Sequence, residues 1–223
     1  MNRRRAPLAT RAAVCLLLLT AGAGVVAQPG APLEGRFARE VVLGEPGGLE
    51  DADVSRLSTA DREALQRYLT RRDAHRPAAV GSDDTDARRQ VVERAIVGLI
   101  DREDVSEAAP DVARTLDLAP GTMGTAEEAQ RQADAAERYL RAHPRSPAAA
   151  FLYAFIAGRC RLAIEASADI AEKERLARKY RTMLDRLRHL DDGAYVLLAR
   201  DLDAVSSLSG KRADHPREYL PPG

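Results

Sequence analysis

Apolar residues in the C-terminal half recur at helical spacing, and this pattern constrains the fold more than any other feature. The intervals are four, three and four residues in one segment and three, four and three in the next: Leu176, Tyr180, Met183 and Leu187, then Tyr195, Leu198, Leu202 and Val205. Such intervals place the side chains on one face of an α-helix. The sequence has no run of alternating β-branched residues flanked by hairpin turns, which would indicate strands. It therefore predicts an all-α protein.

Capping residues, prolines and glycines divide the chain further. The predicted parts are a signal peptide over 1–27, an irregular linker over 28–57, an N-terminal helical region over 58–118, a C-terminal helical region over 125–207 and a polar tail over 208–223. We expect Phe37 and residues 41–43 of the linker to dock onto the helical body. We expect Pro110 to break or start a helix in the ambiguous segment 105–118. The helix after Pro147 should form the packed centre, against the two helices that follow.

The first 33 residues have the organisation of an export signal. Four arginines precede an uncharged stretch over 12–33, and small residues Val25 and Ala27 stand just before Gln28. This pattern predicts cleavage between Ala27 and Gln28 and a periplasmic or extracellular location. The alternative is a membrane-anchored scaffold that retains 12–33, because about 20 apolar residues can cross a bilayer. After cleavage, no remaining stretch is long enough for a stable membrane span.

The charge of the mature chain argues against nucleic acid as a partner. The full sequence has 34 basic and 34 acidic residues. Removing residues 1–27 removes four arginines and no acid, which leaves 30 basic residues against 34 acidic ones. Nucleic-acid binding depends on a basic surface that neutralises phosphates. We therefore expect no nucleic-acid binding.

One phrase in the C-terminal region has a recognisable form. Thr125 and Glu128 make a capping box that opens a helix. The end of this helix, the connection and the start of the next helix read Ala136-Glu-Arg-Tyr-Leu-Arg-Ala-His-Pro-Arg-Ser-Pro-Ala148. In the connection, Ser146 is a good N-cap and Pro147 a good first helical residue. The phrase resembles the junction between repeats in tetratricopeptide-like proteins, over about residues 125–205. A weaker echo follows about 47 residues later, a spacing longer than the strict repeat of about 34 residues. The resemblance implies stacked antiparallel helical hairpins and binding of a protein or peptide, without naming a partner or a binding residue.

Cys160 is the only cysteine that remains after cleavage, so no internal disulfide can form. Its neighbours Arg159 and Arg161 would lower the pKa of the thiol and make it reactive or dimer-forming. The favoured interpretation is a small packing residue on a buried helix face, because no His or Asn is placed to complete a nucleophile site.

Other candidate sites also favour structural roles. Residues 83–86 suggest a calcium loop, but the positions for Gly and Glu hold Arg88 and Arg94. We therefore interpret the acids as a helix start. The four histidines lie far apart, and His189, beside two aspartates, is typical of a helix C-terminus. The sequence predicts no catalytic residue, no cofactor and no metal site.

The resulting hypothesis is an exported, non-catalytic protein–protein interaction module of the bacterial envelope, with a protein partner. The alternatives are the membrane-anchored scaffold and an envelope enzyme whose site is not visible from sequence motifs. The charged segments 127–141 and 172–188 are interpreted as solvated outer helix faces, with a binding surface as the alternative. The residues expected in the core are Phe151, Leu152, Phe155, Ile156, Tyr180, Leu184, Leu187, Leu198 and Leu202.

Overall fold

The computed structural model describes residues 33–77, 83–116, 118 and 125–209. Across these residues it forms eight α-helices, one short 3₁₀ helix and no strand, so the all-α prediction is confirmed. The helices are α1 (Arg36–Leu43), α2 (Thr59–Ala74), α3 (Asp84–Leu99), α4 (Val105–Thr115), α5 (Ala126–Ala142), α6 (Ala149–Ala166), α7 (Ile170–Arg188) and α8 (Gly193–Ala204). The 3₁₀ helix spans Leu49–Asp51.

Side-chain caps explain where several of these helices begin. The Ser58 hydroxyl accepts a hydrogen bond from the Asp61 N–H at 3.1 Å, and the Thr125 hydroxyl accepts one from the Glu128 N–H at 3.2 Å. Each bond satisfies a backbone donor that has no partner within its own helix. The first positions of α2 and α5 are therefore fixed by local sequence, as the capping box at Thr125 predicts for α5.

The helices form a closed ring around α1. Each helix from α2 to α7 packs against the next one along the chain, and α8 packs back against α2. The shortest helix, α1, lies inside this ring and contacts α3, α6 and α8. Its apolar residues Phe37, Ala38, Val41 and Val42 are fully buried. The N-terminal and C-terminal halves thus share one core, and α1 is at its centre.

The segment predicted as an irregular linker, 28–57, therefore needs correction from residue 33 onward, because it contains α1 and the 3₁₀ helix. The expected docking of Phe37 and residues 41–43 is confirmed by their burial. A helix of eight residues is too short to be stable alone and depends on tertiary packing. Its apolar residues do lie on one face, but they cover only two turns, which is shorter than the window of about 11–18 residues over which helical spacing is recognised. Residues 28–32 lie outside the described part.

Three further boundaries differ from the sequence-based expectation. Pro110 lies inside α4, so the prediction that it breaks or starts a helix is wrong. Ser146 and Pro147 are expected to be the N-cap and the first residue of α6, but the helix begins at Ala149 after a turn at 147–148. The Ser146 hydroxyl accepts a hydrogen bond from the Ala148 N–H in this turn, at 3.2 Å. Leu208, placed in the polar tail, is fully buried. The proline costs α4 one internal hydrogen bond, and packing of its buried apolar face offsets that loss.

Helix α6 supplies the most continuous part of the core. It lies between α5 and α7 and also contacts α1 and α8. All nine residues expected in the core are at most 2% exposed, which confirms the prediction. Gly158 lets α1 approach closely, because a Cβ atom at this position would lie 2.2 Å from Cγ2 of Val42. Within the described residues, no helix is both long and apolar enough to cross a membrane.

Candidate functional site

A buried carboxylate on α8 holds the N-terminal end of α1. Asp201 is 1% exposed, and its two oxygens accept hydrogen bonds from the Gly35 and Ala38 N–H groups, each at 2.9 Å. No side chain from α1's own N-cap residue, Gly35, makes a capping bond. Burial raises the pKa of Asp201, although the backbone donors favour its charged form. Asp201 therefore acts as an N-cap supplied from a distant helix.

A buried guanidinium on α6 holds the other end of α1. Arg159 is 1% exposed and donates from Nη2 to the Val42 carbonyl at 2.6 Å. Its guanidinium also lies 4.7 Å from the ring centroid of Phe155. Burial, together with the charge of Arg88, lowers the pKa of Arg159 to about 9, so the group is still charged at neutral pH. A cation at a helix C-terminus is favoured by the partial negative charge there.

A second buried arginine of α6 holds the end of α8. Arg161 donates from Nη2 to the Val205 carbonyl at 2.6 Å, and its Nε lies 3.4 Å from Glu165 Oε1. Glu165 in turn accepts a hydrogen bond from the Leu208 N–H at 2.9 Å. This pair fixes the chain just beyond α8, which explains why Leu208 is buried.

The most enclosed polar group on α1 itself is Glu40. Its carboxylate accepts from the Tyr68 hydroxyl at 2.5 Å and from Nη1 of Arg72 at 3.0 Å to each oxygen. Arg72 also pairs with Glu50 and, at 2.8 Å, with Asp73. Burial and the neighbouring Glu40 charge raise the pKa of Tyr68 well above its usual range. The network joins α1, the 3₁₀ helix and α2.

A small cavity of about 90 Å³ opens beside this network. Its lining residues come from α1 to α3 and the α1–α2 connection: Glu40, Pro46, Gly47, Gly48, Glu50, Arg72, Val91 and Arg94. Glu40 and Glu50 are paired with Arg72, and Arg94 donates to Asp73 at 2.8 Å. The cavity is far smaller than the roughly 300–1,000 Å³ of most ligand pockets. Its charged groups neutralise one another and join helices.

Cys160 is buried among apolar side chains. It is 1% exposed, and burial raises the pKa of its thiol to about 12. The adjacent arginines do not lower it, because Arg159 and Arg161 point at the carbonyls of α1 and α8. The burial of Cys160 agrees with the interpretation as a packing residue, and both the burial and the raised pKa of the thiol disfavour a reactive thiolate.

The acidic and histidine candidates also have structural roles. Asp83 caps α3 by accepting from the Asp86 N–H at 2.7 Å, as expected for a helix start. His75 Nε2, at the end of α2, lies 2.8 Å from Glu93 on α3. His189 Nδ1 lies 2.6 Å from the Asp185 carbonyl of α7, the helix that His189 ends. Among the described residues, no three His, Cys, Asp or Glu side chains form a group that could hold a metal ion. His215 lies outside the described part.

The charged faces of α5 and α7 meet along a line that we call the α5–α7 seam. Its residues are Gln130, Asp134, Glu137, Glu172, Arg175 and Lys179. Gln130 donates to Glu172 at 2.7 Å and accepts from Arg175 at 2.9 Å. Lys179 pairs with Glu137 and lies 3.9 Å from Asp134. The sequence does not indicate these pairs, because Gln130 is 42 residues from Glu172 and 45 residues from Arg175. The contacts form only when α5 and α7 lie side by side.

The chain was compared with family models, curated proteins and solved structures, and none of the three comparisons gave a match.

Proposed function

We propose that this chain is an exported, non-catalytic protein–protein interaction module of the bacterial envelope. The proposal includes cleavage between Ala27 and Gln28, a tetratricopeptide-like C-terminal region and a partner that is a protein. The phrase over 136–148, which resembles a repeat junction, lies at the α5–α6 connection. In tetratricopeptide-like proteins, such helical hairpins present surfaces for peptides or proteins.

The way charge is distributed carries this proposal. Asp201 and Arg161 are buried and bind backbone groups of distant segments, and Glu40 is bound by Tyr68 and Arg72. A buried group engaged in this way is poorly placed to exchange a proton or contact a substrate. The exposed charge lies instead on outer helix faces, where a partner can reach it.

The position of Leu33 bears on the anchored alternative. Leu33 is the last residue of the uncharged stretch 12–33, and it is fully buried in the helical body. A retained membrane segment would therefore have to end before Leu33. The intact mass of the exported protein tests cleavage directly: we expect a chain that begins at Gln28. A species that retains Met1 and resists carbonate extraction would favour the anchored scaffold.

Affinity capture from envelope extract, with residues 28–223 as bait, tests the module. We expect a defined protein partner, and we expect charge reversals spread over one face of the 125–166 hairpin to weaken its capture. The weakening should be greater at low salt, where surface charges are screened least. The matched variants Cys160→Ala and His189→Ala should retain capture and retain function in the native host.

The same variants distinguish the module from an enzyme. Complete loss of function from Cys160→Ala or His189→Ala, with the fold intact by circular dichroism, would overturn the module. That result would favour an envelope enzyme.

A further inference from the structure

The pairing along the α5–α7 seam stops before the two helices end. Gln130 lies level with Glu172 and Arg175, and Glu137 lies level with Lys179. Because α5 and α7 run parallel to each other, the last turn of α5 lies beside the last turns of α7. There both helices carry arginine. The alternation of acid and base that closes the rest of the seam is not continued.

Four exposed arginines belong to the end of α5, the turn before α6 and the end of α7, and we call them the arginine end: Arg138, Arg141, Arg145 and Arg186. The side chain of Arg141 is 70% exposed, and its acidic neighbour is Glu137 at 3.9 Å, which also pairs with Lys179. Two acids near this end already have basic partners: Asp185 lies 3.7 Å from Arg188, and Asp111, which also interacts with Tyr139 of α5, lies 4.0 Å from Arg114. The arginine end therefore has an excess of positive charge.

A tyrosine of α6 adds an apolar surface beside these cations. Tyr153 is partly exposed, and the Arg186 guanidinium lies 4.9 Å from its ring centroid. Stacking holds the planar guanidinium while leaving its N–H groups able to bind an acceptor. Tyrosine and arginine are also enriched at the energetic centres of protein interfaces.

We infer that the arginine end binds an acidic segment of a partner protein. This inference rests on the proposed function and specifies the partner's chemistry. Carboxylates supply the charge that the seam lacks at this level, and guanidinium groups bind them with two parallel hydrogen bonds. A lipid surface fits less well, since surface-bound helices also insert apolar side chains. In the described part of the chain the large apolar residues that are exposed are Val54 and Ile170, and Ile170 starts α7 at its opposite end.

The test is a binding titration with a defined probe. A fluorescein-labelled peptide of alternating Glu and Ser, and a matched Lys and Ser peptide, are titrated by fluorescence anisotropy with residues 28–223. We expect the acidic peptide alone to bind, more weakly as salt is raised from about 20 to about 200 mM. Arg141→Glu/Arg186→Glu should weaken binding at least about tenfold, because each reversal turns an attraction into a repulsion.

The matched control makes the same charge change elsewhere. Arg67→Glu/Arg76→Glu alters two exposed arginines of the N-terminal half and should change the dissociation constant by less than about twofold. Equal weakening by both pairs would overturn the inference, because net charge alone would then explain it. Since Arg186 stacks on Tyr153, Arg141→Glu/Arg145→Glu provides a second variant that leaves this contact intact, and it should weaken binding as well.

The remaining outcomes separate this inference from the module itself. No binding of the acidic peptide by the wild type would overturn the inference. The inference would also be overturned if the wild type binds phosphatidylglycerol vesicles and not the acidic peptide, and if Arg141→Glu/Arg186→Glu abolishes that vesicle binding. If Arg141→Glu/Arg186→Glu still captures the wild type's partner from extract, the inference about the arginine end is wrong, but the proposal of an interaction module is retained. If the wild type captures no partner, the module itself fails.

Discussion

The centre of the ring and the α5–α7 seam both contain charged side chains, but they use them differently. Around α1, Asp201 and Arg159 bind backbone groups at the two helix ends and are 1% exposed. Along the seam, Lys179 and Glu137 pair with each other at the surface, where each side chain is between 20 and 30% exposed. Removing a buried charge leaves unpaired backbone groups behind, whereas water can replace a surface partner. Charges of the same type should therefore differ greatly in their contribution to stability.

The largest effect should come from the apolar part of the centre. Phe155→Ala is expected to lower the free energy of unfolding by about 3–5 kcal/mol, because it opens a cavity in the packed interior. The loss also removes the ring beneath the Arg159 guanidinium. Urea denaturation followed by circular dichroism measures the change. Tyr153→Ala, on the same helix but partly exposed, is the control and should cost less; an unchanged midpoint for Phe155→Ala would place the core elsewhere.

A polar substitution at the centre should follow closely. Asp201→Ala is expected to cost about 2–5 kcal/mol, since it leaves the Gly35 and Ala38 N–H groups buried without their acceptor. The control is Asp203→Ala, two residues further along α8, where the carboxylate pairs at the surface with Arg188. That variant should lose at most about 1 kcal/mol in the same denaturation experiment. Equal losses would remove the distinction between centre and surface.

A change of pH perturbs Asp201 without deleting it and should have a smaller effect. Because burial raises the pKa of Asp201 in the folded state, folding takes up protons between its usual pKa and the raised one. The stability of the wild type relative to Asp201→Asn should therefore fall as pH rises through this window, starting near pH 4. Denaturation of both proteins across the acidic range measures the difference. A relative stability that rises with pH would show that the backbone hydrogen bonds outweigh burial.

The smallest effect should come from the seam. Lys179→Met is expected to change the free energy of unfolding by less than about 1 kcal/mol, because it breaks surface pairs that are screened by water and salt. The difference from the wild type should shrink further when denaturation is repeated at high salt. A loss as large as that of Asp201→Ala would mean that the seam, like the centre, is essential to the fold.

Features that depend on neighbouring residues could be predicted from sequence. Ser58 and Thr125 cap α2 and α5 because their acceptors are three residues from the donors they satisfy. The regular apolar spacing of α7 and α8 likewise identified Tyr180 and Leu198 as core residues. Such local patterns establish helices and their buried faces, since both depend on intervals of three and four residues.

The centre of the molecule could not be predicted in this way. Helix α1 has eight residues, no side-chain cap of its own, and glycines on both sides. Its end groups are satisfied by Asp201 and Arg159, whose roles are determined by positions more than 110 residues away. The arginine end raises the same difficulty, because only the side-by-side placement of α5 and α7 brings Arg141 and Arg186 to the same level.

The dependence of α1 on α8 also has a consequence for the order of folding. The backbone groups of Gly35 and Ala38 find their acceptor 166 and 163 residues later. Contacts between such distant segments form slowly, because a long loop must close before they are made. A chain that emerges N-terminus first, from a ribosome or through a membrane channel, therefore cannot form the hydrogen bonds between α1 and Asp201 until α8 has emerged. The first of the described helices to be synthesised is among the last to be fixed, and a chain stopped before residue 201 would expose the apolar surface of α1 to proteases and to other unfinished chains.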